Sequence, residues 1–425
     1  MDKRKLLGVG RKLLIVVLLA VAVLLSWETG YLHGLKERLY PIASEDVGSS
    51  DVAETAYSKP SGMILPSAAV VCLPDGGRCG VLYHKEDVTA VYHRFSADLG
   101  EALGSAGVPS EMTEAEFLRD CLNGCGLFLR YHCPCPLELL TAWLGAEMTG
   151  ASAEHRAELL FLLAEDSVVE LCYRTDDGTY YRCATAVSAE GLRSRTAEYT
   201  SNGTRFAFET AELSGGDPCT VLPQGAMTAA VVNAAVPLPT GEEQNLLLQA
   251  MGMHSYFASS YSEADGTVVF LDEEATLRLS PDGNVFFRRP AMSGRNASQG
   301  ITAAVKLAWR AAEQSVGRSC GDAELYFSGA EYNETQQSVT VLLDYAVNNI
   351  PVRLAAGHAA EVTLRNDTVV QARLVFRRFT VTEELETLLP ILQANAIAAA
   401  ADSSAELIYA DQGERMNCVW VKTDG

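Results

Sequence analysis

Residues 268–290 read VVFLDEEATLRLSPDGNVFFRRP. Leu277 and Leu279 precede Asp282-Gly283, and Val285 and Phe287 follow it. Before the turn apolar residues alternate with polar ones, and after it Val285 and Phe287 keep the same two-residue spacing, the period of a strand with one buried face. Asp-Gly between two such runs signals a hairpin, because the tight turn needs a positive φ that glycine adopts without strain. The stretch therefore reads as an antiparallel hairpin. The device recurs along the chain. Pro74-Asp75-Gly76-Gly77 separates strands over 67–72 and 80–83. Asp177-Gly178 sits inside CYRTDDGTYYRC, and Asn202-Gly203 lies between EYT and TRFAF. Further strands are expected over 127–131, 323–327, 339–345, 360–364, 369–377, 407–410 and 417–422.

Between the hairpins lie helical patterns. From Glu86 to Leu103 the residues Val88, Val91, Tyr92, Phe95, Leu99 and Leu103 share one face. Thr113 and Glu116 have capping-box spacing. Pro136 opens a helix at PLELLTAWLG, and further helices are expected over 153–163, 242–257, 301–316 and 383–400. Helices and antiparallel hairpins are segregated, so the expected fold class is α+β. At 425 residues, two or three domains are expected. The Gly- and Pro-rich stretch 213–241 and a break near 290–300 suggest an N-terminal α+β domain (63–212), a linker and middle domain (213–299) and a C-terminal domain (300–425).

The N-terminus addresses the compartment. Lys3, Arg4, Lys5, Arg11 and Lys12 precede LLIVVLLAVAVLL, the unbroken apolar run from Leu13 to Leu25. Thirteen helical residues cover about 20 Å, less than a hydrocarbon core of about 30 Å. Arg11 and Lys12 snorkelling at one end and Trp27 and Tyr31 at the other interface extend the span. A cleaved signal peptide is the alternative. Ala20-Val21-Ala22 lies inside the apolar run, and Ser26-Trp27-Glu28 is a poor cleavage site. The expectation is a single transmembrane anchor (13–31), a cytoplasmic tail (1–12), a polar stalk (36–62) and an extracellular remainder. Beyond the first twelve residues lie 28 basic and 53 acidic residues, net −25. That charge argues against a general nucleic-acid binder.

Eleven cysteines is an odd number. A two-residue turn at Asp177-Gly178 would oppose Cys172 and Cys183, with Cα atoms about 5.5 Å apart, inside the disulfide range. A disulfide between them and two half-buried thiols both remain open. Cys121, Cys125, His132, Cys133 and Cys135 cluster in CLNGCGLFLRYHCPCP. Two close cysteine pairs resemble zinc ligation, but Cys133-Pro134-Cys135 is too tight for a chelating knuckle and GLFLRY reads as a strand. Core thiols or a disulfide are the expected reading, with no metal and no cofactor. No Gly-x-Ser-x-Gly elbow, P-loop, dinucleotide fingerprint or His-Glu-x-x-His occurs. His84, His93, His132, His155, His254 and His358 stand apart in sequence, and no catalytic residue is assigned. The acid pairs Asp176/Asp177 and Glu273/Glu274 sit at turns, where solvated carboxylates are ordinary. Sequons at Asn202, Asn296, Asn333 and Asn366 are no more than weak evidence of glycosylation.

Three stretches resemble the YycH family, the membrane-anchored extracytoplasmic regulators of the YycFG/WalRK two-component system of Gram-positive bacteria. They are the N-terminal anchor with its short tail, the segment 268–290, and VTVLLDYAVNNIPVRL (339–354), which also resembles the sister YycI proteins. Asn349 stands where that family usually has glycine. The resemblance implies a non-enzymatic protein that contacts a sensor histidine kinase (YycG/WalK-like) beside a YycI-like partner. Readings from other classes are a wall- or ligand-binding module and an envelope thiol or zinc enzyme built on residues 121–135.

Overall fold

The computed structural model describes residues 63–148, 150–210, 216–254, 258–290, 300–400, 403–411 and 413–424, and in it one turn recurs. Among the described residues, Leu73–Gly77, Thr175–Thr179, Glu263–Thr267 and Ser280–Asn284 close hairpins in the same way. The first residue's N–H bonds the fifth residue's carbonyl at 2.8–2.9 Å, and the glycine N–H bonds the first carbonyl at 3.0–3.1 Å. Each glycine is left-handed, with φ +83° at Gly76, +86° at Gly178, +88° at Gly266 and +85° at Gly283. Each aspartate Oδ1 accepts the N–H of the residue after the glycine, at 2.9–3.1 Å. The loop is thus three residues long, a type I turn closed by a left-handed glycine.

Strands β1 (Pro66–Cys72), β2 (Arg78–Leu82), β3 (Ser110–Met112), β4 (Gly126–Pro136), β5 (Arg156–Glu165), β6 (Val168–Thr175) and β7 (Tyr180–Ser188) form an antiparallel seven-stranded sheet, ordered β2-β1-β4-β5-β6-β7-β3. Helix α1 (Lys85–Gly104) buries Val88, Val91, Tyr92, Phe95, Leu99 and Leu103, the stripe its periodicity predicts. Leu139 and Leu140 of α2 (Leu137–Trp143) and Leu192 of α3 (Ala189–Thr196) belong to the same core. A second core holds Phe117, Phe128, Phe161 and Phe206. It is closed by β8 (Arg205–Phe206) paired with β9 (Val221–Leu222). The capping box is present at Thr113/Glu116.

The second lobe contains β10 (Thr228–Ala235), β11 (Ser259–Ser262), β12 (Val268–Leu271), β13 (Thr276–Leu279), β14 (Asn284–Arg288), β15 (Ala323–Asn333), β16 (Ser338–Val347), β17 (Ile350–Leu354), β18 (Ala360–Arg365), β19 (Thr368–Val375), β20 (Arg378–Thr387), β21 (Ser403–Asp411), β22 (Arg415–Met416) and β23 (Cys418–Asp424). An eleven-stranded sheet runs β11-β12-β13-β14-β19-β18-β16-β17-β21-β23, with β15 added on β16. A small sheet, β20-β10-β22, lies beside it. Helices α4 (Glu242–Ala250), α5 (Ile301–Gln314) and α6 (Ile391–Ala399) complete the lobe. Among the described residues the architecture is α+β with antiparallel pairing, save for the parallel β17–β21 contact and one parallel bridge at Gly321–Phe379.

Several expectations need correction. Residues 153–163 are not a helix. Most of them lie in β5, a central strand between β4 and β6 with Leu159–Leu163 buried; tertiary burial overrides the helix propensity of leucine and alanine. The helix expected over 383–400 begins only at Ile391. Leu389 precedes Pro390, whose ring disfavours the α conformation one residue upstream, and Glu383–Thr387 extend β20 against β10. Asn202-Gly203 makes no hairpin. Asn202 Oδ1 accepts the Gly80 N–H at 3.1 Å and its Nδ2 donates to the Gly80 carbonyl at 2.8 Å, docking the segment on the β2 edge. The α4 helix ends at Ala250, and residues 255–257 lie outside the described residues.

Among the described residues β14 pairs with β19, so strands from both sides of residue 290, the boundary expected between the middle and C-terminal domains, share one sheet. The described residues form one compact unit, and a continuous apolar core passes through both lobes. Among the described residues no helix is long and apolar enough to cross a membrane. The expected tail, anchor and stalk lie outside the described residues.

Candidate functional site

The lobes meet where β4 departs from its register. Across β4 and β5, Arg130 pairs with Leu159 and Cys135 with Ala157, so residues 131–134 face only Glu158. This irregularity makes Tyr131-His132-Cys133-Pro134 bulge away from β5, while Tyr131 stays paired with Pro66 of β1. Its side chains grip the second lobe. The His132 and Tyr326 rings lie 4.7 Å apart, and Cys133 Sγ donates to the Phe327 carbonyl at 3.2 Å. Phe327 N–H in turn bonds the Met63 carbonyl at 2.9 Å.

Opposite stands the Asn348-Asn349 turn between β16 and β17, with Val347 paired to Ile350. Both asparagines are left-handed, at φ +51° and +66°. Two positive φ values make a type I′ turn, which asparagine tolerates better than other non-glycine residues. Asn349 Nδ2 donates to the Pro66 and Ser67 carbonyls at 3.1 and 3.0 Å, and its Oδ1 accepts from His132 Nε2 at 3.1 Å. Asn348 Oδ1 accepts the Lys85 N–H at 3.0 Å, and Lys85 Nζ pairs with Glu324 at 2.9 Å. Asn349 thus clamps the two lobes together.

Burial holds the His132 imidazole down to about 4, against the hydrogen bond to Asn349. The folded state therefore favours neutral imidazole. Its contribution is complete above the unfolded value of about 6.5 and is lost as pH falls towards the folded value. Acidification from pH 6.5 to 4 should erode stability in the native chain more than in a His132→Asn variant. Parallel chemical-denaturation series against pH will read the difference. His358 has the opposite sign. Its Nδ1 lies 3.0 Å from Asp344 Oδ2, and that contact raises its basicity despite partial burial.

Beside the clamp lies a cavity of about 510 Å³, bounded by β1, β4, β5 and β6 on one side and by α6, β21 and β23 on the other. Two arginines enter it. Arg130 pairs with Leu159 across β4–β5, and Leu159 pairs with Arg174 across β5–β6, which sets them in one row. The residue left unpaired beside Leu159 is Glu158; its carboxylate lies 3.2 Å from Arg174 and 3.5 Å from Arg130. Asp217, from the turn before β9, bonds both guanidinium groups: Arg174 Nη1 donates to its Oδ1 at 3.1 Å, Arg174 Nη2 to its Oδ2 at 3.3 Å, and Arg130 Nη2 to its Oδ2. Asp217 Oδ1 also accepts the Cys219 N–H at 3.0 Å. Glu406 lines the cavity from β21 and pairs with Arg353 at 3.0 Å, while burial pushes its carboxyl up.

The cysteines do not converge there. In the hairpin β6–β7, Cys172 faces Arg182 and Cys183 faces Leu171, one residue off the expected register. The loop holds Asp176, Asp177 and Gly178 rather than two residues, and a one-residue change sends a side chain to the other face. Cys172 joins the second core and Cys183 the main one, both as free thiols. The 121–135 group also disperses. Cys121 lies against Cys172, and that contact together with burial raises its thiol. Cys125 Sγ lies 3.2 Å from Thr196 Oγ1. Burial pushes the Cys133 thiol up to about 12 and raises that of Cys135 as well. Among the described residues no three His, Cys, Asp or Glu side chains form a metal-ligand group. Ser328, His358 and Asp344 do meet, but the serine and the carboxylate both address Nδ1, at 3.4 and 3.0–3.1 Å. A relay needs them on opposite ring nitrogens.

No protein-family model matches the sequence, and no curated relative matches it. Among solved structures the chain is similar to the crystal structure of YycH from Bacillus subtilis, with a TM-score of 0.55 and 12% identity over 87% of this chain and 95% of that one. The chain has a YycH-like fold.

Proposed function

We propose that the chain is a non-enzymatic regulator of a sensor histidine kinase, held at the cell membrane by residues 13–31 and acting outside the cell beside a YycI-like partner. The observation that carries this reading is the YycH-like fold over 87% of the chain. The basic residues before Leu13 and the apolar run after them support the anchor and its orientation. The hydrogen-bonded, welded seam between the lobes supports a rigid scaffold rather than a reaction centre.

Lateral regulation requires the anchor to carry partner specificity. Membrane helices associate through particular side-chain shapes, whereas attachment needs only apolar length. A chain with Leu13–Leu25 replaced by poly-leucine should stay in the membrane and restore kinase-dependent transcription poorly in a deletion strain. The untethered extracellular part should also act poorly, having lost an effective concentration of about millimolar. Full restoration by both versions removes the lateral-helix mechanism. Unchanged kinase output on deletion of the gene removes the regulator reading itself.

A further inference from the structure

Asp217 is held as a bound ligand's carboxylate would be. It comes from a turn outside the sheets, yet it takes both Nη donors of Arg174 and one of Arg130. Bidentate guanidinium contacts of this kind recognise planar carboxylates. Arg130 Nε is buried and makes no hydrogen bond of its own, facing only the Glu158 carboxylate at 3.5 Å. The cavity in front of it, about 510 Å³, has the size of a small-molecule site. Leu82, Ile391 and Trp420 supply an apolar wall.

We propose that this cavity binds the free carboxylate of a short peptide or peptide-like molecule, which displaces Asp217 from Arg130 and Arg174. The remaining charges choose the class. Glu158 and Glu406 line the same cavity, and Tyr83 lies within electrostatic range of both Arg130 and Glu406. Glu158 already pairs with both arginines and Glu406 with Arg353, so once Asp217 leaves, three arginines face two glutamates, a balance that suits a monocarboxylate better than a dianionic phosphate. The exchange swaps one carboxylate for another, so the guanidinium groups stay paired throughout. Binding is independent of the kinase reading, and either can fail alone.

The test uses the full-length chain in detergent, titrated calorimetrically with trialanine, trialanine amide and inorganic phosphate. Trialanine should bind saturably and its amide should not. Asp217→Asn keeps an acceptor for the Cys219 N–H but loses the competing charge. It should bind trialanine at least about tenfold more tightly, because the internal competitor no longer lowers the competent fraction. Adding Arg174→Gln or Arg130→Gln should abolish that gain, with circular dichroism showing the fold retained. Equal binding of trialanine and its amide overturns the proposal. So does phosphate binding more tightly than trialanine, or an Asp217→Asn protein that shows no saturable trialanine binding.

Discussion

Asn349→Ala should destabilise the folded chain by about 3–5 kcal/mol, one of the largest effects available from a single polar side chain. Asn349 is 3% exposed and bonds two backbone carbonyls and an imidazole of the other lobe. Truncation takes a hydrogen bond from each of those partners, of which Pro66 is buried and Ser67 and His132 half-buried, at about 1–3 kcal/mol for each one left unsatisfied before relaxation. Alanine also inherits a backbone at φ +66°, which costs an L-residue about 1–2 kcal/mol. Asn349→Gly separates the two causes, since glycine accepts the conformation and loses only the hydrogen bonds. The expected order in urea denaturation is wild type, then glycine, then alanine. A glycine variant as stable as wild type would show that the turn needs only its backbone shape and that the clamp contributes nothing.

Arg78→Met is expected to cost a similar 3–5 kcal/mol, by a different route. Arg78 is 8% exposed; its Nη2 donates to the Leu122 carbonyl at 2.8 Å, its Nη1 pairs with Glu209, and its guanidinium lies 5.0 Å from the centre of the Phe206 ring. Methionine fills much of the volume but strands the Glu209 carboxylate, which is the expensive part. Glu209→Gln on the Arg78→Met background should therefore recover a measurable fraction of the loss in thermal denaturation. Arg78→Lys should not match wild type, because an ammonium cannot donate as a fork while stacking on Phe206. If the double variant is less stable than Arg78→Met, the stranded-charge account is wrong.

What the sequence discloses is what is local. The hairpin 276–288 is legible because its turn and both strands lie within a dozen residues, and Leu277 does pair with Phe287 and Leu279 with Val285. The α1 stripe is legible for the same reason. The register of Cys172 and Cys183 is not, because Asp-Gly serves two-residue and three-residue loops alike and one residue decides the face. Residues 156–165 mislead because a strand buried on both sides loses the alternation that would separate it from a helix. The cavity is least legible of all. Arg130, Arg174, Asp217 and Glu406 come from four separated segments, and no spacing relates them. Asn348-Asn349 carried a signal of its own, since asparagine tolerates the positive φ of a tight turn better than other non-glycine residues. Its physical meaning becomes plain only when Pro66 and His132 are seen across the seam.

The repeated three-residue turn has a consequence for how the chain assembles. A hairpin closes in about 1–10 microseconds, because its ends are neighbours in sequence. Strands β1–β2, β6–β7, β11–β12 and β13–β14 can each pair as soon as they are synthesised. The bonds of Asn349 to Pro66, Ser67 and His132 span 283, 282 and 217 residues and must wait for nearly the whole polypeptide. Long-range closure of that kind is the slow event in folding. The first lobe therefore stands with its seam open until β16 and β17 arrive, and exposed apolar surface at that stage favours aggregation. Met63, Tyr131 and Cys135 are all buried in the finished molecule and belong to that late-closing surface. A helper that shields nascent chains would find its target there, at the seam, rather than at any of the hairpins.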